Sequence, residues 1–574
     1  MRTHRRPNPR SLLPALRLIT LLTALMTVLS GCQGCPGTAR LYDLIALPEP
    51  DATPSLLSPS EPAWELRERL LPGPLAPGLF VIAGLHGYTE PCGCTEDVLQ
   101  GGIDRLAGTL SVLQSALPAG AAIATGDTFF QFPTAHDQER AQDLARTQLI
   151  AESLATIGIQ ALGVGPRDLA RGSDLFLGLA REHKLPLVST NLSLDDAIPR
   201  YRIAKVGDLS IAVLSVLTPS ALSTLPPFEG EKLQNPGEAL ERTLEAPDVR
   251  AADLRVLLFH GEDLEAISLL ENTADIDLLI PAQSERATTS LVQWGNARVP
   301  RVWSQGREIG VLRLHAAPGI EGPWQDAAPY SSDDLQRLEE LVESVGAQIA
   351  QIESTLEAGA ESPPILTRLQ ERRAGYLEEL EAAGSPPEFP ADARSFLWNT
   401  VALAPGLPIH PQIEAKRQAY NRALAEINLA NATPPPPAAQ GHPSYVGAQT
   451  CLSCHSDAHA QWETTPHARA WETLVERDKA YDLECVGCHL TGYQRPGGSA
   501  LGFTTGLEGV QCESCHGPGS LHARNPTLIG DVLGGVQREV SANTCVGCHN
   551  DEHSPRFDFD AYLPRILGPG HGAR

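Results

Sequence analysis

The sequence predicts a multidomain protein in which an α/β layered domain precedes a helical hairpin and a mostly α or irregular C-terminal domain. Three observations support this fold class. Short apolar, β-like runs alternate with helical stretches in the first half, apolar residues recur at helical spacing further on, and four C-x-x-C-H motifs crowd the last quarter. The 574 residues are enough for two to four domains.

The first 31 residues have the pattern of an export signal. Five arginines precede the apolar run 18–29, which is short for a membrane span. The following Leu29-Ser30-Gly31-Cys32 resembles a bacterial lipoprotein signal and implies lipidation of Cys32. An ordinary signal peptide cut nearby is the alternative. Because Gln33 is not an aspartate, we expect an exported lipoprotein in the outer membrane, facing the periplasm or the cell exterior and held by its acyl chains.

Composition and periodicity divide the rest of the chain. The predicted β-like runs are 79–83, 121–124, 211–217, 254–259 and 276–280, and residues 138–157 are predicted to be helical. The predicted segments are a signal peptide at 1–31, a flexible tether at 32–75, an α/β domain at 76–320, a helical hairpin at 331–384, a connecting segment at 385–430, a Pro-rich linker at 431–444 and the C-terminal domain at 445–574.

Charge and cysteine usage limit the function classes. A formal net charge of −25 argues against nucleic acid as a partner. Twelve cysteines in an exported chain would suggest disulfides, but eight of them belong to the four C-x-x-C-H motifs. Apart from Cys32, only Cys35, Cys92 and Cys94 remain, so at least one thiol is unpaired, paired between molecules or bound to metal.

The four motifs have the pattern of covalent haem attachment. They are Cys451-Leu-Ser-Cys454-His455, Cys485-Val-Gly-Cys488-His489, Cys512-Glu-Ser-Cys515-His516 and Cys545-Val-Gly-Cys548-His549. Two thiols three residues apart add to the two vinyl groups of one haem, and the adjacent histidine becomes the proximal iron ligand. A structural zinc site is the alternative, but it gives no reason for a histidine after every pair. The sequence therefore predicts four haem c groups, packed so closely that they form a chain of redox centres.

Distal ligands must come from the other histidines of this region. The chain has only two methionines, Met1 and Met26, and both lie in the signal segment. Bis-histidine ligation is therefore the expected state. The histidines available for it are His442, His459, His467, His522, His553 and His571.

Residues 445–550 resemble the hydroxylamine-linked tetrahaem cytochrome c family. The stretches that carry the resemblance are Trp462-Glu-Thr-Thr-Pro-His467-Ala-Arg-Ala, Cys488-His489-Leu-Thr-Gly and Val510-Gln-Cys512-Glu-Ser-Cys515-His516-Gly-Pro-Gly with His522. The resemblance implies that His467 and His522 are distal iron ligands and that redox proteins are the partners. Since some members of the family keep one iron five-coordinate, an open haem is compatible with it.

Residues 79–317 resemble the 5′-nucleotidase and thiosulfohydrolase group of calcineurin-like metallophosphoesterases, which implies a four-layer α/β domain. Matching stretches include Ala83-Gly84-Leu85-His86-Gly87, Gly126-Asp127-Thr128-Phe129 and Phe259-His260-Gly261. In that family two metals activate water. Here Gly84, Pro166-Arg167, Gln283 and Glu285 replace ligands, which leaves His86, Asp127 and His260. We therefore expect a degenerate domain without hydrolysis by that mechanism, with at most one additional metal ion near His86.

The Pro91-Cys92-Gly93-Cys94 stretch is foreign to the hydrolase pattern and makes Cys92 and Cys94 candidate catalytic residues. The two thiols could form a strained disulfide, bind a metal with His86 and His260, or be inert. Three functions follow for the whole chain. The first is a membrane-anchored electron carrier, the second is an oxidoreductase that acts on a small nitrogen or sulfur compound through an open haem or these cysteines, and the third is a metal-dependent hydrolase.

Overall fold

The computed structural model describes most of the chain from residue 62 onward. The described residues are 62–92, 99–132, 140–194, 198–223, 225, 232–273, 275–284, 287–288, 291–316, 320, 322–327, 332–355, 363–384, 387–503, 506–530, 536–550, 553–554 and 557–569. The predicted signal peptide, Cys32, Cys35 and nearly all of the predicted tether therefore lie outside the described residues.

The strands belong to the first two thirds of the described chain. They are β1 (Gly78–Ile82), β2 (Pro91–Cys92), β3 (Gln100–Gly101), β4 (Gly120–Ala124), β5 (Ala161–Gly163), β6 (Leu187–Val188), β7 (Leu192–Ser193), β8 (Tyr201–Val206), β9 (Leu209–Leu217), β10 (Lys232–Leu233), β11 (Leu254–His260), β12 (Leu278–Pro281), β13 (Val292–Trp294), β14 (Ala297–Val299), β15 (Glu308–His315), β16 (Gln325–Asp326) and β17 (Ser395–Ala402). All five predicted β-like runs coincide with strands.

Helices occur throughout and become short toward the C-terminus. They are α1 (Ala63–Leu70), α2 (Ile103–Ala116), α3 (Arg140–Ile157), α4 (Ser173–Glu182), α5 (Pro219–Leu222), α6 (Pro236–Leu244), α7 (Pro247–Arg250), α8 (Asp263–Glu271), α9 (Ser332–Thr355), α10 (Pro364–Gly384), α11 (Pro411–Ala430), α12 (Ala448–Leu452), α13 (Ser456–Glu463), α14 (Ala470–Val475), α15 (Leu483–His489), α16 (Cys512–His516), α17 (Ser520–Arg524), α18 (Ala542–Cys545) and α19 (Phe559–Tyr562). Within the described residues, no helix is both long and apolar enough to cross a membrane.

Two large sheets form the centre of the α/β domain. The seven-stranded sheet has the order β16-β17-β15-β1-β4-β5-β6, and the six-stranded sheet has the order β13-β14-β12-β11-β9-β8. The pairs β1–β4 and β9–β11 are parallel. Their nearly uninterrupted apolar sequences follow from this position, because central parallel strands are covered on both faces.

The two sheets pack face to face between outer layers of helices. Leu79 of the first sheet lies in one apolar cluster with Val213 and Val256 of the second. Another cluster joins the outer face of the six-stranded sheet to α6 and α8 through Leu240 and Leu270. Helices α2, α3 and α11 pack on one another and on the side of the seven-stranded sheet. This four-layer arrangement confirms the predicted α/β fold class.

The α/β domain continues beyond the predicted boundary at residue 320. Strand β17 pairs antiparallel with β15 along its whole length, from Glu308 opposite Ala402 to His315 opposite Ser395. Helix α11 packs against α2 and α3. The segment 385–430, predicted only to connect two domains, is thus part of the α/β domain. A local apolar pattern does not show which distant strand a segment will join, which is why the sequence missed this.

The predicted hairpin is an insertion between two neighbouring strands of the same sheet. Helices α9 and α10 follow β16 and precede β17, and they pack chiefly on each other. Leu338, Val345, Leu366 and Leu369 are buried between them. The helical hairpin predicted from the spacing of apolar residues is therefore confirmed.

The C-terminal region consists of short helices and turns, as predicted. From residue 445 onward the described part of the chain has isolated β-bridges in place of a sheet. Its buried apolar side chains are few: Ala448, Leu474, Ala480, Val486, Leu490, Ala500, Leu501 and Leu507. So small a core requires another source of apolar interior if the region is to fold as a unit.

Candidate functional site

Each C-x-x-C-H motif contains one turn of helix. Helices α15 and α16 include the second and third motifs. In the first and fourth motifs, the backbone N–H groups of His455 and His549 bond the carbonyls of Cys451 and Cys545, four residues earlier. Residues at positions i, i+3 and i+4 share one face of a helix. The two thiols and the imidazole of each motif thus lie on the same side of their turn, as attachment to one planar group requires.

Cysteines from different motifs lie next to one another. Cys451 is hydrogen-bonded to Cys512, and Cys488 is hydrogen-bonded to Cys548. The thiols of Cys515 and Cys545 are close enough to interact electrostatically. The spatial order of the motifs is therefore first, third, fourth and second. This order differs from the order in the chain and could not be read from the sequence.

The two predicted distal histidines each face a motif histidine. The ring of His522 lies 6.4 Å from that of His455, and the ring of His467 lies 6.0 Å from that of His549, measured between centroids. A metal held at about 2 Å by one nitrogen of each imidazole places the ring centroids roughly 6 Å apart. Both pairs therefore have the separation that a shared metal ion would need, and His522 faces the first motif while His467 faces the fourth.

Four histidines of this region have their Nδ1 atoms held by oxygen atoms. The contacts are His489 with Ala470 O at 2.5 Å, His516 with Gln537 O at 2.6 Å, His522 with Leu528 O at 3.1 Å and His549 with Ser554 Oγ at 3.0 Å. A carbonyl only accepts, so in the first three the Nδ1–H donates and Nε2 is free of its proton. Such contacts fix the tautomer and the orientation of a metal-binding imidazole.

Burial keeps several of these imidazoles neutral. It lowers the pKa of His467, His489 and His549, and the neighbouring His549 lowers that of His467 further. The neutral imidazole is the form that binds a metal ion. The alternative of a thiolate zinc site finds no support, because the described residues contain no group of three or more His, Cys, Asp or Glu arranged to hold a metal. The donor set and the small core fit covalently attached haem.

The three surviving ligand positions of the α/β domain do come together. The Nδ1 of His260 lies 3.5 Å from Oδ2 of Asp127, and the backbone N–H of His86 donates to the carbonyl of Asp127 at 2.8 Å. His86 and Asp127 both have positive φ angles, 50° and 53°. Non-glycine residues are rare in this left-handed region and cluster at functional sites. The three residues therefore lie together at one buried site.

Both carboxylate oxygens of Asp127 already accept hydrogen bonds from protein groups, so they are not free to bind a metal. The Gln283 amide donates to Oδ2 of Asp127 at 2.7 Å, and the backbone N–H of Arg167 donates to Oδ1 at 2.8 Å. A Cβ added to Gly84 would lie 2.7 Å from Nε2 of His86, so the imidazole fills the space that a side chain at position 84 would need. Burial, the Arg167 charge and His260 lower the pKa of His86 to about 4, although Asp127 opposes them. The additional metal ion predicted near His86 thus has no ligand set among the described residues.

Sequence reasoning missed Asp168, which organises this loop. Its buried carboxylate accepts backbone N–H groups from Gly165, Asp127, Thr128 and Phe129 at 2.6–3.2 Å. Burial and the Asp127 carboxylate raise the pKa of Asp168 to about 6. An acidic residue three positions after the cap of a short helix is the signal that could have identified it.

Some predicted site residues lie outside the described residues. These are Cys94, the side chain of Cys92, Glu285 and His571. The backbone of Cys92 is described: it belongs to β2 and pairs with Gln100 of β3.

The other candidate distal histidines have different surroundings. His442 is exposed. His459 packs against Trp462, with ring centroids 5.2 Å apart. His553 lies close enough to His489 of the second motif to contribute to the lowering of its pKa.

Comparison with known proteins finds relatives of the C-terminal region. Residues 450–517 match the family model described as cytochrome c554 and c-prime. Cytochrome c-554 of Nitrosomonas europaea is 36% identical over 91 residues, which is 13% of this chain and 39% of that protein. The C-terminal region is similar to multihaem electron-transfer cytochromes. The chain spans well under half the length of this relative.

Solved structures similar to the chain belong to hydrolases. The sulfate thiohydrolase of Thermus thermophilus has 16% identity and a TM-score of 0.36, covering 43% of this chain and 55% of its own. A 5′-nucleotidase precursor of the same species has 12% identity and a TM-score of 0.42, covering 61% of this chain and 59% of its own. These are likenesses of fold, and the chain again spans less than two thirds of each protein.

Proposed function

We propose that the protein is a tetrahaem c-type cytochrome that transfers electrons to and from redox partner proteins. The observation that carries this is the set of four helical-turn motifs lying side by side, with a further histidine facing the motif histidine in two of them. Haem c supplies an iron that changes its charge by one electron. The residues that would hold it are the eight motif cysteines and the histidines that follow them.

The remaining contacts explain what the chain contributes to each site. His522 and His467 complete bis-histidine ligation at the first and fourth motifs, which favours low potentials. The carbonyls of Ala470 and Gln537 orient His489 and His516. Because neighbouring motifs adjoin in space, electrons would pass between their haems in the order first, third, fourth and second. Covalent thioether bonds keep the groups in place while their charge changes.

The number of haems is the direct test. A haemochrome assay of the purified, full-length protein should give four haems per chain, and mass spectrometry should place them on the four motifs. Cys485→Ala with Cys488→Ala should reduce the number to three. Clearly fewer than four haems in the unchanged protein would overturn the proposal.

We also propose that the chain is an exported lipoprotein of the outer membrane. The support is the sequence alone, namely the basic and apolar start of the chain and Cys32. Covalent attachment of haem to cysteines is compatible with an exported location. Metabolic labelling with a fatty acid, compared between the unchanged protein and Cys32→Ser, tests it: label retained by the variant would contradict lipidation at Cys32.

An oxidoreductase that uses Cys92 and Cys94 is the second candidate. The observation that favours it is the position of Glu90, which precedes Pro91-Cys92 and contacts Lys479 of the C-terminal region at 3.0 Å. A disulfide of these cysteines would take two electrons and two protons to give two thiols, and two ferrous haems would supply the electrons as they become ferric. Cys92→Ser with Cys94→Ser should remove a thiol-linked wave without changing haem content. A double variant that titrates like the unchanged protein would reduce the pair to a structural role.

A further inference from the structure

The two ends of the motif order face different surroundings. At the first motif, Cys454 and His455 are exposed to solvent. At the second motif, Cys485 packs against an apolar cluster that includes Leu474 and Val486. Asp482 and Leu483, just before the second motif, make hydrogen bonds with Gln142 of the α/β domain. One end of the motif order is therefore exposed, and the other end adjoins the α/β domain.

A hydrogen-bonded joint fixes the second motif to the α/β domain. Asp482 caps α15 by accepting the N–H of Glu484, and it also accepts a hydrogen bond of 2.7 Å from the Nε2 of Gln142 in α3. Oε1 of Gln142 accepts from the N–H of Leu483 at 3.1 Å and from Asn428 of α11 at 2.6 Å. Cys485 follows Asp482 by three residues, which is about 4.5 Å along a helix.

A buried group of charges lies at the same joint. The Nζ of Lys479 lies 3.0 Å from Oε1 of Glu90 and 3.1 Å from Oδ2 of Asp482. Arg417 of α11 donates to both oxygens of Glu90 at 2.8 and 2.9 Å, and to Asp104 at 2.8 Å. Lys479 also lies close enough to Cys485 for its ammonium group to act on the charge of a group held there. Glu90 immediately precedes the strand that begins at Pro91. Its ion pair with Lys479 thus connects this strand to the segment that leads into the second motif.

The charges at this joint are held in their ionised forms. Burial alone would raise the pKa of Glu90, but Lys479 and Arg417 outweigh it and lower the value to about 2. Burial alone would lower the pKa of Lys479, but Glu90 and Asp482 outweigh it and raise the value. Near neutral pH both groups are charged. Fixed charges away from bulk water act strongly on a neighbouring group whose own charge changes.

We propose that the second motif is the end of the electron path that adjoins the α/β domain, and that this domain sets the reduction potential there through Glu90 and its ion pair with Lys479. This rests on the proposed attachment of a haem at Cys485 and Cys488. A negative charge stabilises the ferric state and a positive charge stabilises the ferrous state, because net charge near a haem sets its potential. Glu90 lowers the potential at the second motif, and Lys479 raises it. The α/β domain therefore takes part in electron transfer as a source of buried charge.

Two charge-removing variants of the full-length protein should shift one haem in opposite directions. In spectroelectrochemical titrations, Glu90→Gln should raise one of the four midpoint potentials and Lys479→Gln should lower the same one, each corresponding to a several-fold change in the reduction equilibrium. The redox wave whose midpoint potential shifts should be the one that is absent in the double variant Cys485→Ala with Cys488→Ala. Damage to the fold would move both variants the same way, since it would expose the same haem to water.

Matched controls separate the effect of charge from other effects. Lys479→Arg retains the charge and should leave the potential near that of the unchanged protein. Glu241→Gln removes an exposed carboxylate of α6 and should leave all four potentials unchanged. Shifts of the same sign in the two test variants, no shift, or a shift at another motif would overturn this inference. A haem number below four in the unchanged protein would instead count against the proposed function.

Discussion

The Nε2 of Gln142 donates a hydrogen bond of 2.7 Å to Oδ1 of Asp482, a residue 340 positions later in the chain. Gln142 is 2% exposed. Its other amide atom accepts from Leu483 and Asn428. One amide thus joins three separate segments, α3, α11 and the start of α15. Hydrogen bonds between buried polar groups therefore hold the C-terminal region and the α/β domain together.

Gln142→Leu should weaken this joint. The leucine removes three hydrogen bonds and leaves the N–H of Leu483 without its acceptor, whereas Asp482 still accepts from Glu484 and Asn428 still donates to Tyr481. The loss should lower the free energy of unfolding by about 1 to 3 kcal/mol. Denaturant unfolding monitored by the haem absorbance and by far-UV circular dichroism should show two separated transitions in the variant. Gln348→Leu, on the exposed side of α9, is the control and should unfold as the unchanged protein does. Coincident transitions of unchanged midpoint in Gln142→Leu would contradict the structural role of this residue.

His522→Ala and His467→Ala should each open one iron. Removing the imidazole that faces His455 or His549 leaves a five-coordinate site at the first or the fourth motif, respectively. Each variant should show one high-spin haem that binds carbon monoxide, measured by electron paramagnetic resonance and absorbance. His442→Ala, an exposed histidine, is the control. If neither variant changes spin state, the ligands must be sought among His459, His553 and His571.

The sequence predicted local patterns well and long-range relationships poorly. The motif cysteines, the apolar strands and the helical hairpin could be located because each depends on spacing within a few residues. The pairing of β17 with β15 and the adjacency of Cys451 and Cys512 depend on distant segments that no short window contains. Lys479 gave no signal at all, because its importance comes from Glu90, which lies in another domain.

The α/β domain should lack metal-stimulated phosphoesterase activity. Both oxygens of Asp127 already accept protein hydrogen bonds, from Gln283 and from the backbone of Arg167. A pair of metals that activates water needs open positions and several further ligands. Nucleotide hydrolysis should remain at the background rate when manganese is added. Activity that rises with manganese and disappears in Asp127→Ala would show that the hydrolase interpretation is right.

Glu90 should make the stability of the protein depend on acidic pH. Its pKa is about 2 in the folded protein, against an ordinary value of 4.5, because Lys479 and Arg417 outweigh the effect of burial. Between these values the unfolded chain binds more protons, so stability falls as pH decreases from 4.5 toward 2. The contribution present at pH 7 is about 3 kcal/mol for a shift of this size.

Glu90→Gln should lower stability at pH 7 and flatten this part of the pH profile, measured by denaturant unfolding at a series of pH values. Glu241→Gln should keep the original profile, because its carboxylate is exposed. Parallel profiles for Glu90→Gln and the unchanged protein would mean that the ion pair with Lys479 does not hold the carboxylate in its charged form.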